Sequence, residues 1–356
     1  MKNCHDDMLA FHNERVTLGS DDRKEMRERR NSNRDRLKKG LKRDDEPAVS
    51  KLQSQGSYAM WTMVQYAEKD YDIDDGVYFT KESLVGPKGG DRTPAAIKEM
   101  VRKAVHEDSF NEPPKVRTNC VRVYYNAGYH VDLPVYRVIT DDSGVLGSTE
   151  SYELASAEWK TSNPSDVTTW FTDANKTQSP NTDNGGQLRR VTRFLKTFSR
   201  SRASWKDHIA SGFIISKLVV ERYAQNDARE DTALYDTMVA LRDRLNANLE
   251  VDHPVVLNEK LTSGPDDAKT RFLRDKLSDA IDTLDPVFES DCSQADARKA
   301  WDKVFKTDFF GGRPSNDDDD DGGNGGKGTS AAVLIKGGED RAVRDAVDKQ
   351  GGGTYG

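Results

Sequence analysis

Up to about residue 140 apolar and polar positions alternate in short runs, and beyond residue 150 they recur every three or four residues. In DIDDGVYF, at 72–79, alternation predicts a strand with Ile73 packed behind and Asp72 and Asp74 projecting from one face. Lys115 to Tyr125 reads as a half-buried strand, and Tyr129 to Ile139 follows as another after the turn Asn126-Ala127-Gly128. Between them, Thr93 as N-cap and Pro94 in the first turn open a helix through Ile97, Val101 and Val105. Leu188, Val191, Leu195 and Phe198 then recur at helical spacing, as do Leu234, Met238, Leu241 and Leu245, and later Leu273, Leu277, Ile281 and Leu284. Ser211-Gly212 opens an apolar helix over 213–220. The pattern predicts a mixed α+β chain with an N-terminal helical region over 1–50, a palm-like sheet core over 51–150, a helical lobe over 151–310 that completes the active-site cleft, and a tail over 311–356.

The chemistry gathers in the palm. Asp72 and Asp74 on one strand face suit divalent cations, because Mg²⁺ is held by one or two carboxylates plus substrate phosphates. Two such ions about 4 Å apart clamp the attacking and leaving oxygens of a phosphoryl displacement. Gly56-Ser57, shortly before, offers backbone N–H groups to a triphosphate without a side chain in the way, and a hydroxyl besides. Asp132 in YHVDLPVY adds a third acid on a second strand, on the face opposite Val131 and Leu133. Alone, DIDD is more often an acidic surface turn. A Gly-Ser loop, then Asp-x-Asp, then a lone Asp about 60 residues later is the pattern of a polymerase-β-like nucleotidyltransferase palm.

Composition alters this picture little. Of 356 residues 35% are hydrophobic and 32% charged, no run is apolar enough for a membrane span, and the start MKNCHDDM is no signal peptide. A cytoplasmic protein is expected, with no membrane partner. Cys4, Cys120 and Cys292 are too scattered for a disulfide frame, and Cys4, His5 and His12 make a weak metal cluster at best. The net charge of −7 argues against a general nucleic-acid binder. Residues 23–43 nonetheless carry eleven Lys or Arg against three acids, with Met26, Leu37 and Leu41 as the few apolar positions. A solvated helix with a thin packing stripe is favoured there over a basic docking face. Lys196, near Arg189, Arg190 and Arg193, reads first as an exposed lysine and second as a point charge for phosphate; Ser211 reads as a plain N-cap. From Gly311 the sequence collapses into Gly, Asp and Ser, with an aspartate run over Asp317 to Asp321, which predicts a disordered tail; Ala331 to Lys336 and Arg341 to Val347 are segments that would order on a partner.

The chain resembles the bacterial CD-NTase family, the cGAS-like nucleotidyltransferases that make cyclic oligonucleotide messengers in CBASS antiphage defence, and within it the cyclic GMP-AMP synthases. The resemblance rests on QGSY with Thr62, DIDDGVYF at 72–79, HVDLPVY at 130–136, EWKTSNPSDVTTWF at 158–171, LRRVTRFLK at 188–196 and the Trp205 to Ser211 segment. It implies that Asp72, Asp74 and Asp132 are catalytic and ligate two Mg²⁺ ions, with Mn²⁺ able to substitute. It further implies that Gly56, Ser57, Lys196 and Ser211 hold the donor triphosphate and that Arg122 contacts the acceptor nucleotide. Met60 stands where the family carries an aromatic stacking residue. ATP and GTP are the implied substrates and cyclic GMP-AMP the implied product. Relatives encoded beside an E1/E2-like ligase end in a glycine that is conjugated to targets, a role that falls here to Gly356. The zinc-binding thumb of the animal DNA sensors is absent, so no double-stranded DNA activator is expected. Two rivals remain at this stage: a linear nucleotidyltransferase acting on RNA, protein or a small molecule, and an idle scaffold that displays its tail.

Overall fold

The computed structural model describes residues 2–66, 71–86, 89–125, 129–142, 148–289 and 291–314. The turn expected at Asn126-Ala127-Gly128, the Asp317 to Asp321 run, the segments at 331–336 and 341–347, and Gly356 lie outside these residues. The chain forms two compact units: a sheet unit, Thr17–Phe171 with His253–Glu259, and a helical unit made of residues up to Val16, Thr172–Asp252 and residues from Lys260 on. The class is mixed α+β, as expected. No helix among the described residues is long and apolar enough to cross a membrane.

The sheet unit is built on strands β1 (Lys51–Gln55), β2 (Asp72–Thr80), β3 (Lys115–Val116), β4 (Val121–Tyr124), β5 (His130–Leu133), β6 (Val135–Asp141), β7 (Thr149–Ala155) and β8 (Trp159–Thr161). β2 is the organising strand. It runs parallel to β5 and β6 in one continuous register, Asp72 facing His130, Asp74 facing Asp132 and Val77 facing Val135, while β1 pairs with it antiparallel. Beyond β6 the sheet continues antiparallel through β7 and β8, and beyond β5 through β4 and β3.

Three strand expectations are refined. Tyr129 to Ile139 is interrupted at Pro134, which has no N–H to give the ladder but accepts from Val77 N at 2.8 Å. Lys115 to Tyr125 is a tight hairpin, closed by Arg117 N donating to Cys120 O at 2.8 Å, rather than one strand. The change to helices beyond residue 150 comes later, because β7 and β8 carry the sheet on first.

Helix Pro94–Val105 forms as expected, with Ala96 N donating to the Thr93 hydroxyl at 3.2 Å. Its buried Ile97, Met100, Val101 and Ala104 pack with Val77, Phe79, Val121, Val131, Val135 and, from helix Ser20–Arg43, Leu37 and Leu41. The basic helix is neither bare nor merely solvated. Arg23 lies over Trp61 at 3.7 Å, Arg29 over Tyr125 and Tyr129 at 4.6 Å, and Arg36 over Phe110 at 4.7 Å. Arg34 donates from Nε and Nη2 to the two oxygens of buried Asp75, both at 2.7 Å.

In the helical unit the three predicted stripes are buried on helices Gln187–Arg200, Glu230–Ala247 and Ala268–Leu284. Cys4, His5 and His12 do not converge on a metal. Cys4 N donates to Asp231 at 2.8 Å, His5 Nδ1 accepts from Glu230 N at 3.0 Å, and the buried His12 ring meets Arg193 at 3.0 Å. Burial and the Arg193 cation push the His12 pKa well down.

Candidate active site

The period of two that governs strands puts Asp72 and Asp74 on one face of β2, and His130 and Asp132 on one face of β5. Because Asp72 is the register partner of His130 and Asp74 of Asp132, the four side chains occupy the corners of a square. The alternating residues turn the other way: Ile73 joins a core with Leu18, Met26, Met63, Tyr71 and Tyr129, and Asp75 meets Arg34. DIDD thus divides its labour. Asp72 and Asp74 face the site, while Asp75 ties the strand to the basic helix.

His130 is the residue that sequence reasoning missed. Its signal was present in HVD, two residues before Asp132 and so on the same strand face, but without the register nothing set it opposite Asp72. Ligand atoms of Asp72, His130 and Asp132 lie within 4.8 Å of one another. Asp72 Oδ1 is buried yet accepts no hydrogen bond from the described protein, with His130 Nε2 3.4 Å away. An orphaned carboxylate oxygen beside a second carboxylate and an imidazole fits a divalent cation.

Gly56 and Asp74 are matched by shape. Gly56 has φ +61°, a left-handed value suited to glycine, and a Cβ there would stand 2.2 Å from Asp74 Oδ2. The turn is fixed from behind, where buried Gln55 donates to the Tyr78 hydroxyl at 2.8 Å and accepts from the Tyr136 hydroxyl at 3.1 Å. Ser57 follows in the short helix Gly56–Ala59. Burial, then the charges of Asp72 and Asp132, push the Asp74 carboxyl well above the usual carboxylate range. Such mutual repulsion of carboxylates is what a bound cation relieves.

Arg122 lies on β4, opposite Asp132. Its Nε and Nη2 donate to the two Asp132 oxygens at 2.7 and 2.6 Å. Arg122, expected to contact the acceptor nucleotide, is engaged in this structure by the third acid.

The helical unit brings Lys196 and Ser211 together. Ser211 caps helix Gly212–Arg222 through its hydroxyl, which accepts from Ile214 N at 3.3 Å. A Cβ on Gly212 would stand 3.3 Å from Lys196 Cε and 3.7 Å from its Nζ. Lys196 is buried rather than exposed, which overturns its first reading. Burial, helped by Arg193, lowers its pKa to about 7.

Comparison with known proteins bears on the same stretch. The family model described as "Cyclic GMP-AMP synthase DncV-like, nucleotidyltransferase domain" matches residues 50–136, which hold Gly56, Ser57, all three acids, Arg122 and His130. Among solved structures, Vibrio cholerae DncV cyclic AMP-GMP synthase with nonhydrolyzable GTP is similar at a TM-score of 0.66 and 17% identity, over 88% of this chain and 97% of that one. Escherichia coli DncV in its 3'-deoxy GTP bound form is similar at 0.62 and 16%, over 82% and 92%. CdnC of E. coli MS115-1 with ATP is similar at 0.61 and 18%, over 86% and 98%. At these identities the structures speak for the fold, and the family model for the catalytic domain.

Proposed function

We propose that this chain, which belongs to the bacterial CD-NTase family through its DncV-like nucleotidyltransferase domain, joins ATP and GTP into a cyclic dinucleotide. The observation that carries the reading is the square on β2 and β5, with Asp74 against the Gly56 turn. The similarity to DncV structures that hold 3'-deoxy GTP or nonhydrolyzable GTP, and to CdnC with ATP, supports the choice of substrates. As the resemblance implies, the product would serve as a messenger in antiphage defence.

In each step a ribose hydroxyl oxygen attacks an α-phosphorus, a P–O bond forms, and the bond to the leaving pyrophosphate breaks. Divalent cations held by Asp72, Asp74 and Asp132, Mg²⁺ in the first place, would neutralise phosphate charge and acidify the hydroxyl. Asp132 is assigned the hydroxyl proton. Both its oxygens accept from Arg122, and each keeps a second lone pair for the proton or a cation. The Gly56-Ser57 turn presents backbone N–H groups and a hydroxyl to the donor phosphates. In the helical unit, Lys196 beside the N-terminus of helix Gly212–Arg222 has the character of a phosphate contact.

The test is incubation of the purified chain with the four labelled nucleoside triphosphates and Mg²⁺ or Mn²⁺, followed by phosphatase and chromatography with mass spectrometry. A phosphatase-resistant species at the mass of a cyclic dinucleotide of adenosine and guanosine is expected. A phosphatase-sensitive or polymer-linked label would replace this reading with a linear transferase, and a resistant ring of other bases would overturn the substrate assignment alone.

A further inference from the structure

Three corners of the square are the acids that the nucleotidyltransferase pattern asks for. The fourth is His130, and its place is set by the register that opposes it to Asp72. Its imidazole is largely enclosed, the side chain 13% exposed. The carboxylate it faces has no hydrogen bond at the nearer oxygen, Oδ1, although Nε2 is only 3.4 Å away. A histidine that merely oriented Asp72 would donate to that oxygen and satisfy it. Instead that oxygen is left unpartnered, and one ligand atom each of Asp72, His130 and Asp132 lies within 4.8 Å of the others. Atoms sharing one cation at about 2.1 Å stand roughly 3–4 Å apart, so little movement separates this arrangement from a shared ion.

We propose that His130 is a nitrogen ligand of the cation held by Asp72 and Asp132, and that it biases this site from Mg²⁺ toward Mn²⁺ and Co²⁺. The inference rests on the nucleotidyltransferase reading for the presence of a cation and goes beyond it in the donor set. Mg²⁺ is a hard ion served by oxygen, with several waters retained. An imidazole in place of one water or oxygen favours later first-row ions, with affinity rising from Mn²⁺ to Co²⁺. The chain's own donor atoms then decide which metal the first of the two positions keeps.

The probe is Mn²⁺ alone, added to the full chain and read by pulsed electron paramagnetic resonance. A ¹⁴N modulation is expected from one directly bound imidazole; it converts to the ¹⁵N pattern when histidine is ¹⁵N-labelled and disappears in His130→Gln. In calorimetric titration, His130→Gln is expected to weaken Mn²⁺ about tenfold or more and Mg²⁺ by no more than about threefold, in line with the cost of disturbing a ligand set. The unsubstituted labelled protein gives the answer even where the variant folds poorly. Mn²⁺ bound without nitrogen modulation, yet lost in Asp72→Asn, would sink the His130 assignment and leave the nucleotidyltransferase reading intact. Mn²⁺ binding unaffected by Asp72→Asn, or no binding at all, would sink the assignment and count against the cation site too. Modulation that survives His130→Gln would place the nitrogen on another residue and overturn the proposal.

Discussion

Arg122 grips Asp132 through two parallel hydrogen bonds, at 2.7 and 2.6 Å, across register partners of the antiparallel strands β4 and β5. The fork geometry matches a carboxylate as few other pairs do. It also places a protein cation against the acid assigned above to the metal site, beside Asp74, whose proton affinity is raised by burial and then by the charges of Asp72 and Asp132. Arg122 and a divalent cation are therefore alternative counter-charges for the same carboxylate.

Replacing Arg122 by Gln is then expected to destabilise the metal-free protein by about 1–3 kcal/mol, because nearly buried Asp132 loses the partner of both its oxygens. The loss should shrink when Mn²⁺ or Mg²⁺ is present. Urea unfolding with and without metal measures both. An equal loss in the two conditions would mean that the guanidinium and the metal do not compete.

Gly56→Ala is expected to cost activity far more than stability. The left-handed φ of +61° strains any other residue, at about 1 kcal/mol. The new methyl would meet Asp74 Oδ2, the mobile end of a side chain, so the fold yields by moving the carboxylate. A displacement of about 1 Å at reacting groups costs on the order of 100-fold in rate. Turnover and thermal unfolding of the variant, measured together, decide it: a variant that melts early but turns over normally when folded would contradict the packing argument.

The neighbouring aspartates of DIDD should separate cleanly. Asp74→Asn is expected to drop turnover by about 10³-fold or more while the protein stays folded, since it removes a charge from a repelling cluster. Asp75→Ala is expected to lose about 3–5 kcal/mol of stability, because Arg34 would keep a charge in a site made for its partner. Comparison of their unfolding midpoints and of their product yields is sufficient. Reversed phenotypes would mean the register of β2 is wrong by one residue.

That register is also where the sequence was most and least readable. Asp72, Asp74 and Asp132 were legible because alternation along a strand assigns faces without any knowledge of neighbours. His130 was not, since its importance comes from lying opposite Asp72, a pairing between residues far apart in the chain. The same holds for Lys196, which charge composition marked as exposed and tertiary packing buried against Gly212. Strand β7 escaped because TESYELA opens with the exposed polar residues Thr149, Glu150 and Ser151, and only Tyr152 and Leu154, near its end, pack against Tyr78, Tyr136 and Val138. The helices with the longest apolar stripes, Gln187–Arg200, Glu230–Ala247 and Ala268–Leu284, were read well, whereas Pro164–Gln178 and Gln294–Phe305 were not named.

Burial of Lys196 supplies a pH dependence with a definite sign. Desolvation disfavours the ammonium, so its pKa falls from its ordinary value of 10.5 to about 7 in the folded chain. Between those values the unfolded chain binds more protons than the folded one. Stability must therefore rise with pH across this window, by at most about 1.4 kcal/mol per pH unit from this group. Below pH 7 both states are protonated and the cost of the buried charge is fully present. Lys196→Met, which keeps the length and removes the charge, is expected to be more stable than the parent near pH 6 and to lose the upward slope. Urea unfolding from pH 6 to 9.5 measures both slopes. Addition of inorganic triphosphate should flatten the parent's slope as well, since an anion beside Nζ restores the charged form, and it should leave Lys196→Met unchanged. A parent slope that triphosphate does not alter would separate the buried lysine from any role in phosphate binding.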